Sequence, residues 1–449
     1  MKQSHEESKE ELQENQFGPK THYIPTDWEI GRLGDNTYLK GRIGWHGLTE
    51  DDHLEDGEYF LVTGTDFEAG RVKWNHCKYV NEDWYQKDEN IQLEENDILL
   101  TKDGSIGKSA FVESLPGPAT LNNGIFVIRP LNEEYVPKFF YYILNSFYLD
   151  DFIETITAGS TISHLYQKDF VNFRFPLPPL SEQRRIADIL SKVDEQIQQT
   201  DEIINKTKEL KRGVLNELIP RGINERGELR PSPEDQPELY EEVRRCTIPA
   251  DWEISSLQEI CKEDVTYGIV QAGPHVDDGV PYLKTGDVTG EKLKLEGLSR
   301  TSTEIAEDYS RSKIRTGELV ITIRATVGVV QQVPPELDGA NLTQGTARIS
   351  PNDAIDNRYL LWAIRTNLVQ SLIDARTKGS TFNEITLGTL RKVPIPYPEQ
   401  LEEQRSIAEK LDKISEKLER ETEYLTELKD LKRGLMQDLL TGKVRVNTS

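Results

Sequence analysis

Two stretches of forty residues, 180–219 and 401–440, carry the clearest hydrophobic pattern in the chain. Their apolar residues recur at steps of three, four and seven, which places them on one stripe of a helix. The stripes consist of Ile186, Leu190, Val193, Ile197 and Ile204, and of Ile407, Leu411, Ile414, Leu418, Leu425 and Leu428. We predict two long helices, the first ended by Pro220 and the second by Gly442. Because each narrow stripe needs a partner, we expect them to pair as an antiparallel coiled coil.

The chain contains an internal repeat. The two stretches align without a gap at an offset of 221 residues and share sixteen of forty positions. The phrase IPTDWEI at Ile24 returns as IPADWEI at Ile248, whereas the segments between such landmarks have little in common. We infer one plan used twice, a domain followed by a long helix, with the same scaffold and different surfaces. Gly213 and Gly434 also correspond, and indicate either close approach of another helix or partner protein or fraying near the helix end.

Each half mixes strand and helix signals. Short runs rich in β-branched and aromatic residues are separated by Gly, Asn and Asp turns, and a helical stretch follows at 136–153 and at 357–375. The predicted fold class is α+β: two similar mixed α/β domains joined by two long helices that form an antiparallel coiled coil, in a pseudo-twofold internal repeat. The predicted segments are a disordered tail (1–20), a first domain (21–179), a central helix (180–219), a linker (220–247), a second domain (248–400), a C-terminal helix (401–440) and a tail (441–449).

The composition is strongly acidic, with 78 Asp and Glu against 54 Lys and Arg and a formal net charge of −24. This charge argues against a uniformly basic nucleic-acid binder, although local basic patches could still contact phosphates. The chain has neither a run of eighteen apolar residues nor a signal-peptide pattern, so we expect a soluble cytoplasmic protein without a membrane partner. The three cysteines, Cys77, Cys246 and Cys261, lie far apart and fit a reducing compartment without disulfides.

No motif in the chain predicts catalysis or metal binding. The run GSIGKS (104–109) resembles the end of a phosphate-binding loop, but Lys102 stands where that motif requires glycine, and the second copy reads ATVGVV. The histidines lack metal-ligand spacing. Motifs of serine hydrolases, dinucleotide-binding enzymes and amino-methyltransferases are also absent from the sequence. We therefore predict no catalytic residue, no metal ion and no cofactor bound by this chain.

A binding surface remains as the candidate site. Segments 154–170 and 374–390 each place hydroxyl or amide side chains and a basic residue around a glycine, and such side chains bind phosphates and base edges. Neighbouring loops and turns of each domain could join them. The candidate DNA-binding residues are Lys102, Ser105, Lys108, Asn122, Asn123, Ser160, Thr161, His164, Gln167, Lys168, Arg324, Thr326, Asn341, Gln344, Arg376, Lys378, Ser380, Thr381 and Asn383. The alternative is that each Gly-Ser-Thr turn only caps the preceding helix, and the residues alone favour neither reading.

The sequence resembles the specificity subunit of type I restriction–modification systems over about residues 24–446. The resemblance rests on two domains alternating with two helical spacers. It also rests on the phrases IPxDWE, PLPPLSEQRRIA, PIPYPEQLEEQRSIA and LKRGLMQDLLTGKVRV. It implies a non-catalytic subunit whose two target-recognition domains each read one half of a bipartite target in double-stranded DNA, while the coiled coil sets their separation. The methyltransferase (modification) subunits, two in number, would dock on the coiled coil, and the restriction/translocase subunits would join through them.

The resemblance also implies where the cofactors bind. S-adenosylmethionine is expected on the modification subunits, and ATP and Mg²⁺ on the restriction subunits. Two other classes of function stay open at this point. One is an enzyme that combines target recognition with chemistry, and the other is a protein-binding scaffold without sequence-specific DNA recognition. The residues that would touch bases cannot be carried over from the family, because recognition domains vary by their function.

Overall fold

The structure is a computed structural model that describes residues 12–17, 20–42, 48–131, 133–157, 164–243, 246–289, 292–377 and 383–447. The chain divides into two compact units. Unit 1 comprises Met1–Glu202 with Glu423–Ser449, and unit 2 comprises Ile203–Thr422. Each unit therefore holds one domain together with parts of both long helices.

Unit 1 is built from thirteen strands and five short helices before its long helix, within the described residues. The strands are β1 (Leu12–Phe17), β2 (Lys20–Pro25), β3 (Glu29–Arg32), β4 (Thr37–Gly41), β5 (Tyr59–Val62), β6 (Phe67–Glu68), β7 (Arg71–Val72), β8 (Lys78–Val80), β9 (Ile98–Thr101), β10 (Ser109–Phe111), β11 (Ala119–Leu121), β12 (Ile125–Pro130) and β13 (Arg174–Leu177). The helices are α1 (Leu33–Asn36), α2 (Glu82–Gln86), α3 (Pro137–Leu144), α4 (Phe147–Thr157), α5 (Gln167–Phe170) and the long α6 (Leu180–Arg221). Short 3₁₀ turns occupy Glu50–Asp52, Gly64–Asp66, Trp74–His76 and Glu89–Ile91.

A six-stranded sheet in the order β4-β12-β9-β10-β7-β6 forms the centre of unit 1, beside a three-stranded sheet β11-β5-β8. Strand β9 is buried on both faces. Ile98 and Leu100 face one apolar cluster and Leu99 faces another, as the two-residue period of a strand requires. Helix α3, buried from Phe139 to Leu144, packs in the first of these clusters with the start of α6. The sheet is therefore covered on both faces, and its turns lie at the edges.

Unit 2 repeats this plan with shorter strands. Its strands are β14 (Tyr240–Val243), β15 (Cys246–Pro249), β16 (Trp252–Ser256), β17 (Thr266–Tyr267), β18 (Val280–Leu283), β19 (Val288–Thr289), β20 (Lys292–Leu293), β21 (Arg300–Thr301), β22 (Leu319–Thr322), β23 (Val330–Gln332), β24 (Asn341–Leu342), β25 (Thr346–Ile349) and β26 (Pro394–Pro398). Its helices are α7 (Thr303–Asp308), α8 (Asn357–Arg365), α9 (Asn367–Asp374), α10 (Leu387–Leu390) and the long α11 (Leu401–Leu440), with 3₁₀ turns at Pro237–Leu239, Thr285–Asp287, Ser310–Ser312 and Pro335–Leu337. The central sheet runs β17-β25-β22-β23, beside β21-β18-β24.

The long helices pack against each other in opposite directions within each unit. In unit 1, Ile186 and Leu190 of α6 share a cluster with Leu439 of α11, and Asp194 pairs with Lys432 at 2.6 Å. Later residues of α6 thus meet earlier residues of α11. In unit 2 the trend is the same. There Lys211 of α6 donates to Ser415 of α11 at 3.0 Å, and the backbone N–H of Ile223, just past α6, donates to Glu403.

Three predictions, about a helix end, the N-terminal tail and the linker, are wrong. Helix α6 includes Pro220 and ends at Arg221, because Gly222 adopts a left-handed φ of 70° and its N–H closes the last turn on Leu218. Residues 12–17 of the predicted disordered tail form β1, which pairs with β2 along its whole length. Buried Phe17 anchors this hairpin. The predicted linker 220–247 likewise contains β14, which pairs with β15.

Candidate nucleic-acid interface

Four segments of unit 1 meet at one edge of its sheets, and we call them loop surface 1: residues 63–66, 102–108, 122–124 and 164–168. Backbone hydrogen bonds hold them together. The N–H of Lys102 donates to Gly124 at 2.8 Å, and the N–H of Leu165 donates to Lys102 at 2.7 Å; the N–H of Asn122 donates to Val62 at 2.9 Å. Three of these segments contain residues that the sequence nominated for DNA binding. The structure thus brings candidates that are up to about sixty positions apart onto one surface.

Unit 2 builds the matching loop surface 2 from residues 284–287, 323–328, 343–345 and 383–386. The same backbone bonds recur, because the N–H of Ile323 donates to Gly345 at 2.9 Å and the N–H of Ile385 donates to Ile323 at 3.0 Å. The N–H of Thr343 donates to Leu283 at 3.0 Å, in the place of the Asn122–Val62 bond. The two surfaces therefore share one backbone framework.

A side-chain bond between an acidic and a basic residue closes each surface at the same position of the repeat, but the acidic and basic residues have exchanged places. In loop surface 1 the turn carries Asp103, which pairs with His164 of the facing segment. In loop surface 2 the turn carries Arg324, whose Nε and Nη2 both donate to Glu384 Oε1 at 3.0 Å. Both pairs span an isolated antiparallel β-bridge. In unit 1 the turn therefore carries the acidic residue and the facing segment the basic one. In unit 2 the turn carries the basic residue and the facing segment the acidic one.

Most described candidates of unit 1 are accessible. Ser105, Lys108, Asn123, Gln167 and Lys168 are exposed. Two of these side chains are also tied to the fold. Lys108 Nζ donates to Gly64 O at 3.1 Å, and Gln167 Nε2 donates to Leu39 O at 2.9 Å.

Three further candidates of unit 1 are half-buried: Lys102, Asn122 and His164. Lys102 Nζ lies 5.2 Å from the centroid of the Phe126 ring, and burial lowers the pKa of its ammonium group. Lys102 therefore faces the interior more than solvent. Ser160 and Thr161 lie outside the described residues.

In unit 2, Thr326 and Asn383 are exposed, and Arg324, Gln344 and Arg376 are half-buried. Arg376 Nη1 donates to Leu372 O at 2.7 Å, near the end of α9, so it caps a helix. Lys378, Ser380 and Thr381 lie outside the described residues.

The prediction that Asn341 contacts DNA is wrong, because its side chain is fully buried in β24. Its Nδ2 donates to the backbone oxygen of Ala306 at 3.2 Å, at the end of α7, and approaches that of Tyr309 at 3.4 Å. Asn341 therefore belongs to the interior of unit 2. It corresponds by the repeat to Thr120, which is also fully buried.

Sequence reasoning missed two contributors to the surfaces. The first is the capped turn 63–66 and its copy 284–287, in which an aspartate, Asp66 or Asp287, accepts the N–H three residues earlier. The signal was the echo of FLVTGTD in YLKTGDV, which the repeat alone could have placed beside the other turns. The second is Tyr166, which is 55% exposed and lies beside His164 with a centroid distance of 4.5 Å.

The described residues show neither a metal-binding cluster nor an activated thiol. Within the described residues, no group of three or more His, Cys, Asp or Glu could hold a metal ion. The same part of the chain contains no helix that is long and apolar enough to span a membrane. Burial raises the pKa of Cys77 and of Cys261 to about 12, so neither thiol is activated.

The chain thus contains two related α/β domains, and each presents a polar loop surface on the same backbone framework. This arrangement is typical of a binding protein with two non-identical recognition modules. The chain belongs to the family of type I restriction–modification DNA specificity domains, whose profile matches residues 25–209 and 249–430. Family membership confirms the predicted α+β fold class with its long helices. It also confirms the predicted role as a non-catalytic DNA specificity subunit.

Similar proteins carry the same assignment. The chain is 27% identical over 433 residues to the MjaVIII specificity subunit of Methanocaldococcus jannaschii, covering 94% of each chain. It is 26% identical over 329 residues to the EcoBI specificity subunit of Escherichia coli, covering 71% of this chain and 66% of that one. Among solved structures, the S subunit from M. genitalium matches with a TM-score of 0.57 at 18% identity, covering 92% of this chain and 96% of that one. That likeness concerns the fold.

Proposed function

We propose that each domain reads one half of a bipartite target in double-stranded DNA through its loop surface. The observation that carries the proposal is the shared backbone framework with different side chains. Ser105 of loop surface 1 corresponds to Thr326 of loop surface 2, and Lys108 corresponds to Val329, which directly follows turn 323–328 of that surface. A common framework would place both modules on DNA in the same way, while the changed side chains would read different bases. The recognition domains proposed are 21–179 and 248–400.

The net charge of −24 means that DNA affinity of the isolated chain should be weak. Loop surface 1 offers exposed Lys108 and Lys168 for phosphate contacts, whereas Val329 and Gly388 occupy the matching positions of unit 2. The remaining phosphate contacts would come from basic surfaces of partner subunits. Binding by the assembled complex should then fall steeply with salt, because each phosphate contact releases counterions.

The long helices are proposed as the ruler between the half-sites and as the dock for two modification subunits. Each helix exposes two apolar residues a heptad apart, away from its paired stripe. In unit 2, Ile203 and Leu210 of α6 are 40% and 56% exposed; in unit 1, Tyr424 and Leu431 of α11 are 44% and 51% exposed. The two pairs correspond at the repeat offset of 221. Such spacing suits contact with a partner helix, and one stripe in each unit agrees with two partner copies.

The matched glycines support the same docking face. Gly213 lies eight residues before the end of α6 and Gly434 six before the end of α11, so neither sits in a frayed last turn. Apart from the backbone of its own helix, a Cβ added at either would meet no heavy atom of the described chain within 4 Å. A mid-helix glycine costs about 1 kcal/mol relative to alanine. We propose that close approach of a partner helix accounts for this cost.

The partners would supply the chemistry. S-adenosylmethionine would bind the modification subunits. ATP and Mg²⁺ would bind restriction/translocase subunits that join through the modification subunits, in the cytoplasm. A solved structure that concerns the complex assembly and conformational transition of the type I restriction–modification system resembles this chain in fold, with a TM-score of 0.51.

The decisive experiment is to co-express the chain with its modification subunit and to map adenine methylation across a random DNA library. A bipartite motif with a fixed gap that disappears when this chain is omitted is the expected result. Methylation that does not depend on the chain would refute the proposal. Partner binding without any sequence dependence in the assembled complex would instead favour a protein-binding scaffold.

A further inference from the structure

The Arg324–Glu384 pair couples two strands of loop surface 2. Arg324 follows β22, and Glu384 lies in the segment that leads into α10. Backbone hydrogen bonds flank the pair on both sides, because the N–H of Ala325 donates to Asn383 at 2.9 Å and the N–H of Ile385 donates to Ile323 at 3.0 Å. The side-chain pair therefore reinforces the register in which the turn faces the segment.

The reversed polarity of the two units separates two possible roles for these residues. A residue that reads a base is selected for its own donors and acceptors, and its neighbour across the bridge need not follow it. Here the acidic and the basic residue exchange places together, from Asp103 and His164 in unit 1 to Arg324 and Glu384 in unit 2. What the two copies retain is the side-chain bond across the bridge and not the identity of either residue.

The geometry of Arg324 points the same way. Nε and Nη2 of Arg324 both donate to Glu384 Oε1, so this carboxylate fixes the orientation of the planar guanidinium. An unpaired Glu384, which is 44% exposed, would also repel the DNA backbone. Pairing neutralises that carboxylate on a surface that is proposed to face phosphates.

We propose that Arg324 and Glu384 are positioning residues for the second half-site, and that Asp103 and His164 do the same for the first. The pair fixes segment 383–386 against turn 323–328, so that exposed groups such as Thr326 are presented in one geometry. This inference rests on the proposed function, because it assumes that loop surface 2 reads DNA. It assigns specificity at this half-site to the register of the loops.

Charge reversal in the full complex with the modification subunit tests the inference. The variants are Arg324→Glu, Glu384→Arg and the double reversal, assayed by methylation kinetics on the intact target and on targets altered in one half-site. Like charges across a bridge should lower kcat/KM by about fivefold, which corresponds to about 1 kcal/mol. The double reversal should return to within about twofold of the starting protein. Discrimination at the first half-site should stay unchanged throughout.

Two results would overturn the inference. If the double reversal is as poor as Arg324→Glu, the guanidinium itself contacts DNA. If both single reversals methylate like the starting protein, the pair has no positioning role. Lys313→Glu is the matched control, because Lys313 pairs with Glu307 at 2.6 Å on the surface of the same unit, outside loop surface 2; it should leave kcat/KM unchanged. A starting complex without bipartite methylation would refute the proposed function itself, which is a different outcome from a failed rescue.

Discussion

Replacing Arg348 by methionine should strongly destabilise unit 2. The side chains of Arg348 and Glu318 are 3% and 4% exposed, and Arg348 Nε and Nη2 donate to the two carboxylate oxygens at 2.7 and 2.6 Å. Methionine removes both bonds and the positive charge. The carboxylate stays buried beside the bonds it accepts from Ser350 Oγ at 2.6 Å and from the N–H of Arg315 at 2.9 Å. Breaking a buried ion pair in this way costs about 3–5 kcal/mol, because the remaining charge has lost both water and partner.

Amide hydrogen exchange on the full chain measures this cost locally. The free energy of opening of β22 and β25, which carry Glu318 at their edge and Arg348 within, should fall by about 3 kcal/mol or more. Strands β9 and β12 of unit 1 should be unchanged. Arg315→Met is the matched control, since Arg315 is 64% exposed and meets Glu263 at 3.3 Å; it should cost less than about 0.5 kcal/mol. A loss below about 1 kcal/mol for Arg348→Met would refute the reasoning.

The cost should also depend on pH in a defined direction. Burial alone would raise the pKa of Glu318, but hydrogen bonds from Arg348 and Ser350 outweigh it and the pKa is lowered overall. A carboxylate with a lowered folded-state pKa stabilises the protein above its unfolded pKa of about 4.3, and this contribution is lost as pH falls through the folded pKa. Without Arg348, burial should raise the pKa of Glu318. The difference between the two proteins should therefore shrink as the pH falls from about 7 towards 4.3.

Three further predictions concern the helices, the DNA surface and the domain anchor. Leu210→Glu and Leu431→Glu should each weaken binding of the modification subunit, by calorimetry, at least about tenfold, because burying a leucine contributes about 1.5–3 kcal/mol; unchanged affinity would exclude the exposed stripes as the dock. Lys108→Gln should reduce the slope of log affinity against log salt by about 0.9 in the assembled complex, and an unchanged slope would mean that Lys108 meets no phosphate. Arg445→Met should destabilise unit 1 by about 3 kcal/mol in hydrogen exchange, because the Glu182 side chain is 4% exposed and would lose its positively charged partner while keeping the bond from Trp28 Nε1; a cost near zero would mean that the carboxylate regains water.

The long helices could be predicted from the sequence because their signal is local and repeated. Apolar residues such as Ile186 and Ile407 recur at helical spacing, and both are buried in the structure. The helix end at Pro220 was misplaced because a proline removes only its own N–H, while the turn can still close on Gly222. Strand β1 was missed because only one of its six residues, Phe17, is buried, and the partners of that residue lie elsewhere in the chain.

The binding residues were harder to predict, because a polar residue type does not reveal whether its side chain points to solvent or into the interior. Asn341 and Asn383 are the same residue type on the same domain, yet the first is fully buried against backbone oxygens and the second is exposed. Only the fold decides between them, because Asn341 lies in β24, which pairs with β18, whereas Asn383 lies in the loop before α10. The side-chain pairs of the loop surfaces could not be predicted either, because about sixty residues separate Asp103 from His164 in the sequence.

A second repeated feature obeys the same rule as the reversed pairs. In unit 1 the start of the domain is fixed by Arg445, which follows α11 and donates to Asp27 and Glu182 at 2.7–3.0 Å. In unit 2 the same role falls to Arg230, which follows α6 and pairs with Asp251 and with Glu403. The acidic partners correspond in the repeat, but the two arginines stand at different distances past their helix ends.

An alignment of the two repeats therefore matches the acidic residues with each other but does not match the two arginines. In both features the repeat preserves a bond between an acidic and a basic side chain at a fixed point of the scaffold. Residues at different positions or of different types can form this bond. This accounts for how the loop surfaces could diverge without losing the framework. A side chain on such a surface can change its sign provided that its partner across the bridge changes too, and an unpaired exposed group such as Thr326 can change alone. We therefore expect new half-site specificities to arise first at exposed, unpaired positions, and the ion pairs to change only together.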